Sequence, residues 1–370
     1  MLPVLGGLAI IAVVFGSLNE HFLSPENLTN LMLQMAATGT ISLGVIMVLL
    51  LGEVDLSAGS VSGLAAVVMT ILAVREHVPV GLAIGIAIAA AAAIGALHGV
   101  LLTKIGIPSF VVTLAGLIGW QGLLLFLLGR GGTINLPFTG FVAKLSDTWL
   151  PLWLSCALVL LIVGTWTLST VLTRRSRLTE GLPVASVWRA YLPIAAVATI
   201  LGVGVVVLHA DRGVPLLLVI FGGLVVLTDL ALRHTLFGRH VFAVGGNAEA
   251  ARRAGINVTR IRLLAFTACS ALAAVGGILA ASRLAAVNQS SGGSDILLMS
   301  IAAAVIGGTS LFGGRGRAYA ALLGILVIQS ITNGMLLLNV NSSVRFMVTA
   351  TVLVLAVGID SLARKASSPA

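Results

Sequence analysis

Two acidic side chains, Glu53 and Asp55, lie between two long apolar stretches of the chain. A carboxylate at membrane depth is costly, so such a group usually has a partner or a function. Asp55 could cap the following helix by accepting backbone N–H bonds, with Ser57 beside it and Gly59 allowing close helix contact. Two further roles stay open: a part in gating, or a carboxylate that carries a coupled proton, the latter being open to Asp229 as well.

The remaining residue types do not indicate catalysis or a metal site. Cys156 and Cys269 each lie inside an apolar stretch, without C-x-x-C or Cys/His spacing. None of the six histidines has a partner spaced for metal ligation, and no nucleophile, base and orienting residue occur together. No lysine follows a glycine, so the phosphate-binding loop of an ATPase is absent. We therefore expect no enzyme activity, no metal and no cofactor in this chain.

A glycine-rich segment, beginning with Gly307, Gly308 and Thr309 and ending at Gly314, interrupts another apolar stretch. Irregular backbone at membrane depth persists only where protein or water satisfies its polar groups. One interpretation is therefore an unwound segment that lines a pore. The other is a flexible turn.

Several polar side chains are isolated within apolar stretches and are candidates for a hydrophilic path through the membrane. Each of them also fits a helix-to-helix hydrogen bond, which is the more common use of such residues. Trp120 adds a possible stacking surface for a ligand ring. The candidates are Gln34, Thr113, Trp120, Gln121, Gln329 and Asn333.

The segment from Phe237 to Arg262 is the one long, charged, amphipathic insert in the chain. Good helix formers from Ala248 to Ala254 predict a short helix, and Gly255 is placed to end it at the C′ position. The pattern E-A-A-x-x-x-G runs from Glu249 to Gly255. A surface helix on anionic headgroups and a helix that contacts a soluble partner both fit this composition.

The composition is that of an integral membrane protein. Hydrophobic residues make up 58% of the 370 and charged residues 9%, with a mean hydropathy of +1.13. The net charge of +9 resides in short loops, so we do not expect nucleic-acid binding. Uncharged windows near 20 residues predict an all-α, polytopic fold with about twelve transmembrane helices in one domain, residues 1–370. The windows are Leu2 to Asn19, Asn27 to Gly52, Leu56 to Val74, Val78 to Thr103, Ile105 to Gly129, Thr148 to Thr173, Ala190 to Ala210, Gly213 to Leu232, Leu263 to Ser282, Ile296 to Gly314, Ala318 to Val344 and Phe346 to Ile359.

The distribution of Lys and Arg predicts the orientation, because cytoplasmic loops retain positive charge. With both termini inside, 15 of the 21 Lys and Arg residues fall on the cytoplasmic side. This places the insert, residues 237–262, in the cytoplasm. The six on the outer side are Arg75, Arg130, Lys144, Arg212, Arg283 and Arg345.

A trace of internal repetition is present. At one constant offset, a set of small and apolar residues near Gly52 aligns with a second set near Gly307. If real, this is a parallel repeat, as in some transporters, although chance matches are common in so Gly- and Ala-rich a chain. The aligned sets are Gly52, Leu56, Gly59, Gly63, Ala65, Ala66 and Gly307, Leu311, Gly314, Ala318, Ala320, Ala321.

Four motifs together resemble one known family. Gly52 to Ser60 reads G-E-V-D-L-S-A-G-S, Pro108 to Gly116 reads P-S-F-V-V-T-L-A-G, and Val305 to Gly314 reads V-I-G-G-T-S-L-F-G-G. With the insert pattern from Ala243 to Val258 and the later Ser282-Arg283-Leu284, they resemble the membrane subunits of bacterial ABC importers for monosaccharides, the ribose/xylose/galactose permease family. The resemblance runs from about Asn27 to Asp360. It is nearest to xylose-type permeases, because of an extra pair of spans between about Trp149 and Ala210 and of Asn333-Gly334-Met335.

The resemblance implies a permease that works by alternating access in the bacterial inner membrane. The implied partners are a cytoplasmic ATPase subunit that uses ATP and Mg, a periplasmic or lipid-anchored sugar-binding protein, a second permease copy and the lipid bilayer. The competing hypotheses are an ion-coupled secondary transporter of small polar solutes and a non-transporting scaffold. The implied coupling residues are Asn247, Glu249, Ala250, Ala251, Arg252 and Gly255, and the implied signature or gating residues are Glu53, Asp55, Ser57, Gly59, Gly307, Gly308 and Thr309.

Overall fold

The computed structural model describes residues 2–184 and 186–367 and is almost entirely helical. Short π-helical turns, Ile71–Arg75 and Leu101–Ile105, extend α3 and α4. The helices are α1 Leu2–Leu18, α2 Pro25–Leu49, α3 Ala58–Thr70, α4 Val80–Val100, α5 Ser109–Leu128, α6 Phe141–Ser146, α7 Leu152–Thr179, α8 Val187–His209, α9 Leu216–His234, α10 Leu236–Gly246, α11 Ala248–Arg253, α12 Val258–Leu284, α13 Ser294–Ile306, α14 Tyr319–Leu337 and α15 Ser342–Ser367. The strands are β1 Thr133–Asn135, β2 Trp149–Leu150, β3 Val214–Pro215 and β4 Ala286–Asn288.

The all-α, membrane-spanning fold is confirmed. Among the described residues, nine helices are long and apolar enough to cross a membrane, and two apolar helices are shorter, Val4–Leu18 and Ser294–Ile306. Each of the twelve apolar windows overlaps one helix in the structure, although the tenth window is helical over only part of its length. The figure of twelve spans stays a prediction, because α13 is too short to cross the hydrocarbon core alone.

The helix bundle has two distinct ends. One end, which we call the strand end, carries two antiparallel pairs, β1 with β4 and β2 with β3. The connection between α1 and α2 lies there too, since Asn19 Nδ2 donates to the Leu337 carbonyl at the end of α14 (3.2 Å). The opposite end, the turn end, holds the α2–α3 and α13–α14 turns, which touch where Gly314 N donates to the Leu50 carbonyl (2.9 Å).

Helices α2, α3 and α12 form the buried centre of the bundle through close backbone contact. On α2, a Cβ at Gly44 would lie 2.6 Å from the Cys269 carbonyl oxygen of α12. On α12, a Cβ at Gly277 would clash with the Ser62 carbonyl of α3. Because lipid gives no hydrophobic drive for helices to associate, small residues that permit such contact hold them together.

The tenth apolar window, Ile296 to Gly314, is only partly helical. Helix α13 ends at Ile306, and the residues after it form the turn before α14. The positive φ of Gly308 (98°) prevents the helix from continuing, because a right-handed helix requires negative φ, and Gly313 (83°) and Gly314 (72°) keep the following turn irregular. The expectation of one span over the whole window is therefore wrong.

The connection before α13 enters the bundle instead of staying at the strand end. The Gly292 backbone packs against Gly59, and the Ser291 carbonyl lies where a Cβ on Gly63 would be. Gly292 has a φ of 69°, which permits this turn. Gly59 and Gly63 thus allow an irregular segment to lie against α3, where protein surrounds its polar backbone.

The predicted repeat is matched only in part by the local structure, since Ala65 and Ala66 lie in α3 and their counterparts Ala320 and Ala321 lie in α14, but the glycines differ. At the aligned offset, Gly59 lies inside α3, whereas its counterpart Gly314 lies in a turn with a φ of 72°. Residues that adopt different backbone conformations do not occupy equivalent positions. The parallel repeat therefore stays a prediction.

The hairpin of α7 and α8 lies at the edge of the bundle. No part of the most apolar window of α7 is buried inside the chain, and α8 supplies the hairpin's packing against α2. The four β2 and β3 residues pair at its base. This hairpin is the extra pair of spans that the sequence places between Trp149 and Ala210.

Candidate functional site

The insert folds as two short helices and the first turns of α12 rather than as one helix. Helix α11, which we call the insert helix, lies where the sequence predicts it, and Gly255 follows it with a φ of 83°. Asn247 caps the helix, since its Oδ1 accepts from Ala250 N (2.9 Å). Only Ala251 is buried on this helix, so the rest of its surface is open to a partner.

The charged residues of the insert helix form an exposed group. Glu249 pairs with Arg252 (3.0 Å) and Arg253 (3.3 Å). The three side chains are between 57% and 80% exposed, so these pairs contribute little to stability. Arg252 also borders a cavity of about 300 Å³ at the turn end, beside Gly106, Pro108 and Arg262.

Helix α10 holds the insert helix against both glycine-containing turns. A Cβ at Gly245 would clash with the Leu50 carbonyl after α2, and Gly246 packs against Gly314. Gly313 in turn lies against Gly52. The predicted signature segments, one after α2 and one after α13, therefore meet each other and the base of the insert helix.

The glycine-rich segment forms this turn rather than a break in the middle of a span. Gly307 follows α13 directly, and a Cβ there would clash with the Ala320 carbonyl of α14. Thr309 is buried, and a Cβ on Gly316 would lie 3.0 Å from its Oγ1. Gly308 is the left-handed residue that reverses the chain, with a φ of 98°.

The two carboxylates after α2 have different partners. Glu53 Oε1 lies 2.9 Å from Arg262 Nη2 on α12, and both side chains are largely buried. Asp55 Oδ1 accepts from the Ser57 amide (2.9 Å) and the Ser57 hydroxyl (2.6 Å). Ser57 is the residue just before α3, so Asp55 closes a turn ahead of the helix instead of capping amides inside its first turn.

A buried polar chain extends from this turn into the bundle. Ser57 Oγ lies 3.4 Å from His98 Nδ1, and Trp120 Nε1 donates to His98 Nε2 (3.1 Å). His98 therefore carries its proton on Nδ1 when neutral, facing Ser57. Gly116 packs against both His98 and Ser57. Sequence reasoning missed His98, although an ionisable residue inside the apolar window of α4 was a usable signal.

Asp229, the third candidate for a proton-carrying carboxylate, forms an ion pair within its own helix. Its Oδ1 lies 2.9 Å from Arg233 Nε, one turn along α9, at an angle that makes an ion pair rather than a hydrogen bond. Among the described residues, Asp55 forms no ion pair with an arginine or lysine, and the buried Cys269 thiol of α12 lies within hydrogen-bond reach of its carboxylate.

The polar residues proposed for a path separate into two groups. Gln34, Gln329 and Asn333 meet between α2 and α14, where Gln329 Nε2 donates to Gln34 Oε1 (2.6 Å). Thr113, Trp120 and Gln121 lie on α5 instead. Thr113 donates to the Ser109 carbonyl (2.9 Å), and Gln121 donates to the Gln289 carbonyl (2.9 Å).

Gln34 and Asn333 of the first group line a polar cavity at the strand end, with a volume of about 510 Å³, and Gln329 supports it through its bond to Gln34. Asn27 and Asn333 form a reciprocal pair at its wall, with N–O distances of 2.8 and 2.9 Å. Sequence reasoning missed most of this site, because its members come from five separate segments. The lining residues are Asn27, Asn30, Leu33, Gln34, Ser146, Asp147, Arg212, Arg283, Asn333, Leu336 and Leu337.

Within the described part of the chain, no three His, Cys, Asp or Glu side chains are grouped to hold a metal ion. Cys269 is buried and Cys156 is exposed, and neither forms a disulfide.

Comparison with known proteins identifies the chain's relatives. The family described as "Branched-chain amino acid transport system / permease component" matches residues 27–357. The xylose transport system permease protein of Haemophilus influenzae is 33% identical over 97% of this chain and 95% of its own length. Its counterpart in Escherichia coli is 34% identical, over 97% and 91%. The ribose import permease protein of Escherichia coli is 31% identical, over 96% and 91%. No solved structure matches.

Proposed function

The chain belongs to the family of branched-chain amino acid transport system permease components, and we propose that it is the membrane-spanning subunit of an ABC importer for a monosaccharide. The observation that carries this proposal is end-to-end similarity to xylose and ribose permeases, together with an exposed insert helix at the predicted position. The xylose-type relatives make a pentose the first substrate to test.

The insert helix supplies the contact with a cytoplasmic ATPase subunit, which binds ATP and Mg. Its exposed Glu249, Arg252 and Arg253 offer charges of both signs to a cleft on the partner. Helix α12 begins at Val258, just after the turn at Gly255. A displacement of the insert helix is therefore passed to α12 and to the turns after α2 and α13.

The turn end faces the cytoplasm and the strand end faces outward in the bacterial inner membrane. The α4–α5 and α7–α8 turns and the insert lie at the turn end with most of the basic residues, as the positive-inside rule requires. Both termini are then cytoplasmic. The strand end is left to receive solute from a periplasmic or lipid-anchored binding protein, and a second permease copy completes the membrane domain.

The alternative of ion-coupled transport depends on Asp55, since Glu53 and Asp229 each have an arginine partner. Asp55 lies in a turn in which its Oδ1 accepts hydrogen bonds from the Ser57 amide and hydroxyl, so this oxygen has a structural role. An importer powered by ATP needs no titrating carboxylate in the membrane.

Reconstituted transport separates the two mechanisms. The permease is placed in proteoliposomes with an ATPase subunit and a sugar-binding protein of its own organism that associate with it, and uptake of labelled xylose, ribose, galactose and leucine is measured. ATP-dependent uptake of one sugar is the expected result. Uptake driven by a pH gradient without the ATPase would instead support ion coupling, and uptake of leucine alone would reassign the substrate to amino acids.

A further inference from the structure

We infer that the strand-end cavity is a binding site for an uncharged, polyhydroxylated solute that is complete within a single copy of the chain. This inference rests on the proposed function and adds to it a location, a ligand chemistry and a stoichiometry of one site per protomer. The strand-end cavity has a volume of about 510 Å³, which lies in the usual range for small-ligand sites and holds one monosaccharide with some water.

The wall between α2 and α14 is rigid and polar. Asn27 and Asn333 hold each other through two hydrogen bonds, and Asn27 Nδ2 also donates to the Phe22 carbonyl (2.8 Å). Deeper in the bundle, two turns along α2 and one turn along α14, Gln34 and Gln329 are paired. These contacts fix the amide orientations before any ligand arrives, which reduces the ordering cost of binding.

The same pairs leave donors that face the cavity. A side-chain amide has two N–H donors, so Asn333 keeps one and Gln34 keeps two beyond the bonds described. Asn30 accepts from Arg212 through its Oδ1 (3.0 Å), which leaves its amide nitrogen available. Hydroxyl groups of a sugar accept and donate at once, and therefore match a wall of amides.

The charges at the rim balance. Arg283 and Arg212 line the cavity with Asp147, and Asp211 pairs with Arg212 (3.0 Å). Arg212 is further held over the Trp149 ring, 4.5 Å from its centroid. Two positive and two negative side chains give no net attraction for an anion or a cation, which favours a neutral polyol over a sugar acid or an amino sugar.

All of these residues belong to one chain, so the site does not require a second copy. The cavity opens at the strand end, which faces outward in the proposed orientation and is where solute arrives. A site there holds the solute after release and before the helices rearrange.

Cysteine protection tests this site in the permease–ATPase complex. In a Cys156→Ala background, Ser146→Cys or Leu336→Cys places a thiol at the cavity, and the rate of maleimide labelling is followed against solute concentration. Two positions are used so that poor folding of one variant does not decide the result. Ligand at a concentration equal to its Kd, on the order of millimolar, slows labelling about twofold.

The expected result is saturable protection by the transported monosaccharide, on every protomer, and none by its uronic acid or by leucine. Arg283→Gln and Asn30→Leu should weaken that protection, while Arg130→Gln, an exposed arginine of the same end outside the cavity, should leave it unchanged. Normal ATP-driven sugar uptake without protection at either cysteine would overturn the site and leave the proposed function standing. Protection by leucine, with no sugar uptake, would overturn both.

Discussion

Arg262 on the second turn of α12 and Glu53 in the turn after α2 form an ion pair with a separation of 2.9 Å. This pair links the segment that follows the insert helix to the turn that carries Asp55. Gly245 and Gly314 reinforce it through backbone contacts with Leu50. Movement of the insert helix therefore has a direct route to the start of α3.

The first prediction concerns this ion pair. Glu53→Gln and Arg262→Gln should each lower ATP-driven uptake, because each leaves one largely buried charge without its partner. The coupling energy should be about 1–3 kcal/mol, below that of a fully buried pair because Arg262 is 27% exposed. A double-mutant cycle on uptake and ATP hydrolysis measures it. Recovery of uptake in the swap Glu53→Arg with Arg262→Glu supports the link, whereas strictly additive losses in the cycle contradict it.

The sequence predicted much of the fold but little of this geometry. Uncharged windows located the helices, because the hydrocarbon core imposes a length of apolar chain that composition reveals. Gly255 predicted the end of the insert helix, because the left-handed backbone conformation that commonly follows a helix favours glycine. The pairing of Glu53 with Arg262 was not foreseen, since it joins residues far apart in sequence. The strand-end cavity was missed for the same reason: Asp147, Arg212 and Arg283 become neighbours only through tertiary packing.

The second prediction separates the structural and proton-carrying roles of Asp55. Asn keeps an oxygen that accepts from the Ser57 amide and hydroxyl, whereas Leu keeps none. Asp55→Asn should therefore retain most transport, and Asp55→Leu should lose it with about 1–2 kcal/mol of stability. Uptake and thermal unfolding in detergent are measured together. A well-folded Asp55→Asn variant without transport would show that the ionisable group itself is needed.

The third prediction concerns the insert helix as an ATPase contact. Glu249→Lys reverses one exposed charge, and its lost ion pairs are worth less than about 1 kcal/mol at the surface. Gly255→Asp places a side chain at a φ of 83°, a conformation that costs an L-residue about 1–2 kcal/mol. Both should reduce co-purification of the ATPase, while membrane insertion stays intact.

Glu180→Lys is the matched control, since Glu180 is an exposed carboxylate at the end of α7, on the same side of the bundle but away from the insert. It should leave ATPase association unchanged. If both insert variants co-purify with as much ATPase as the unmodified permease and transport normally, the insert helix is not the ATPase contact.

The last prediction concerns the contact between α3 and α12. A methyl group added at Gly277 would clash with the Ser62 carbonyl. Because this is a backbone group, no side-chain rotation can relieve the clash. Gly277→Ala should therefore lower the melting temperature by an amount equivalent to about 1–3 kcal/mol of overpacking, and should reduce transport as well. Gly164→Ala on α7 is the matched control, because nothing lies within 4 Å of a Cβ at that position.

The control should be neutral or stabilising by up to about 1 kcal/mol, since Ala is the better helix former. Thermal unfolding of both variants in one detergent measures the difference directly. If the two alanines behave alike, the helices do not approach each other as closely as Gly277 requires. If only Gly277→Ala unfolds early, the close approach of α3 to α12 fixes where α3 begins, and with it the turn that joins Asp55 and Ser57 to His98.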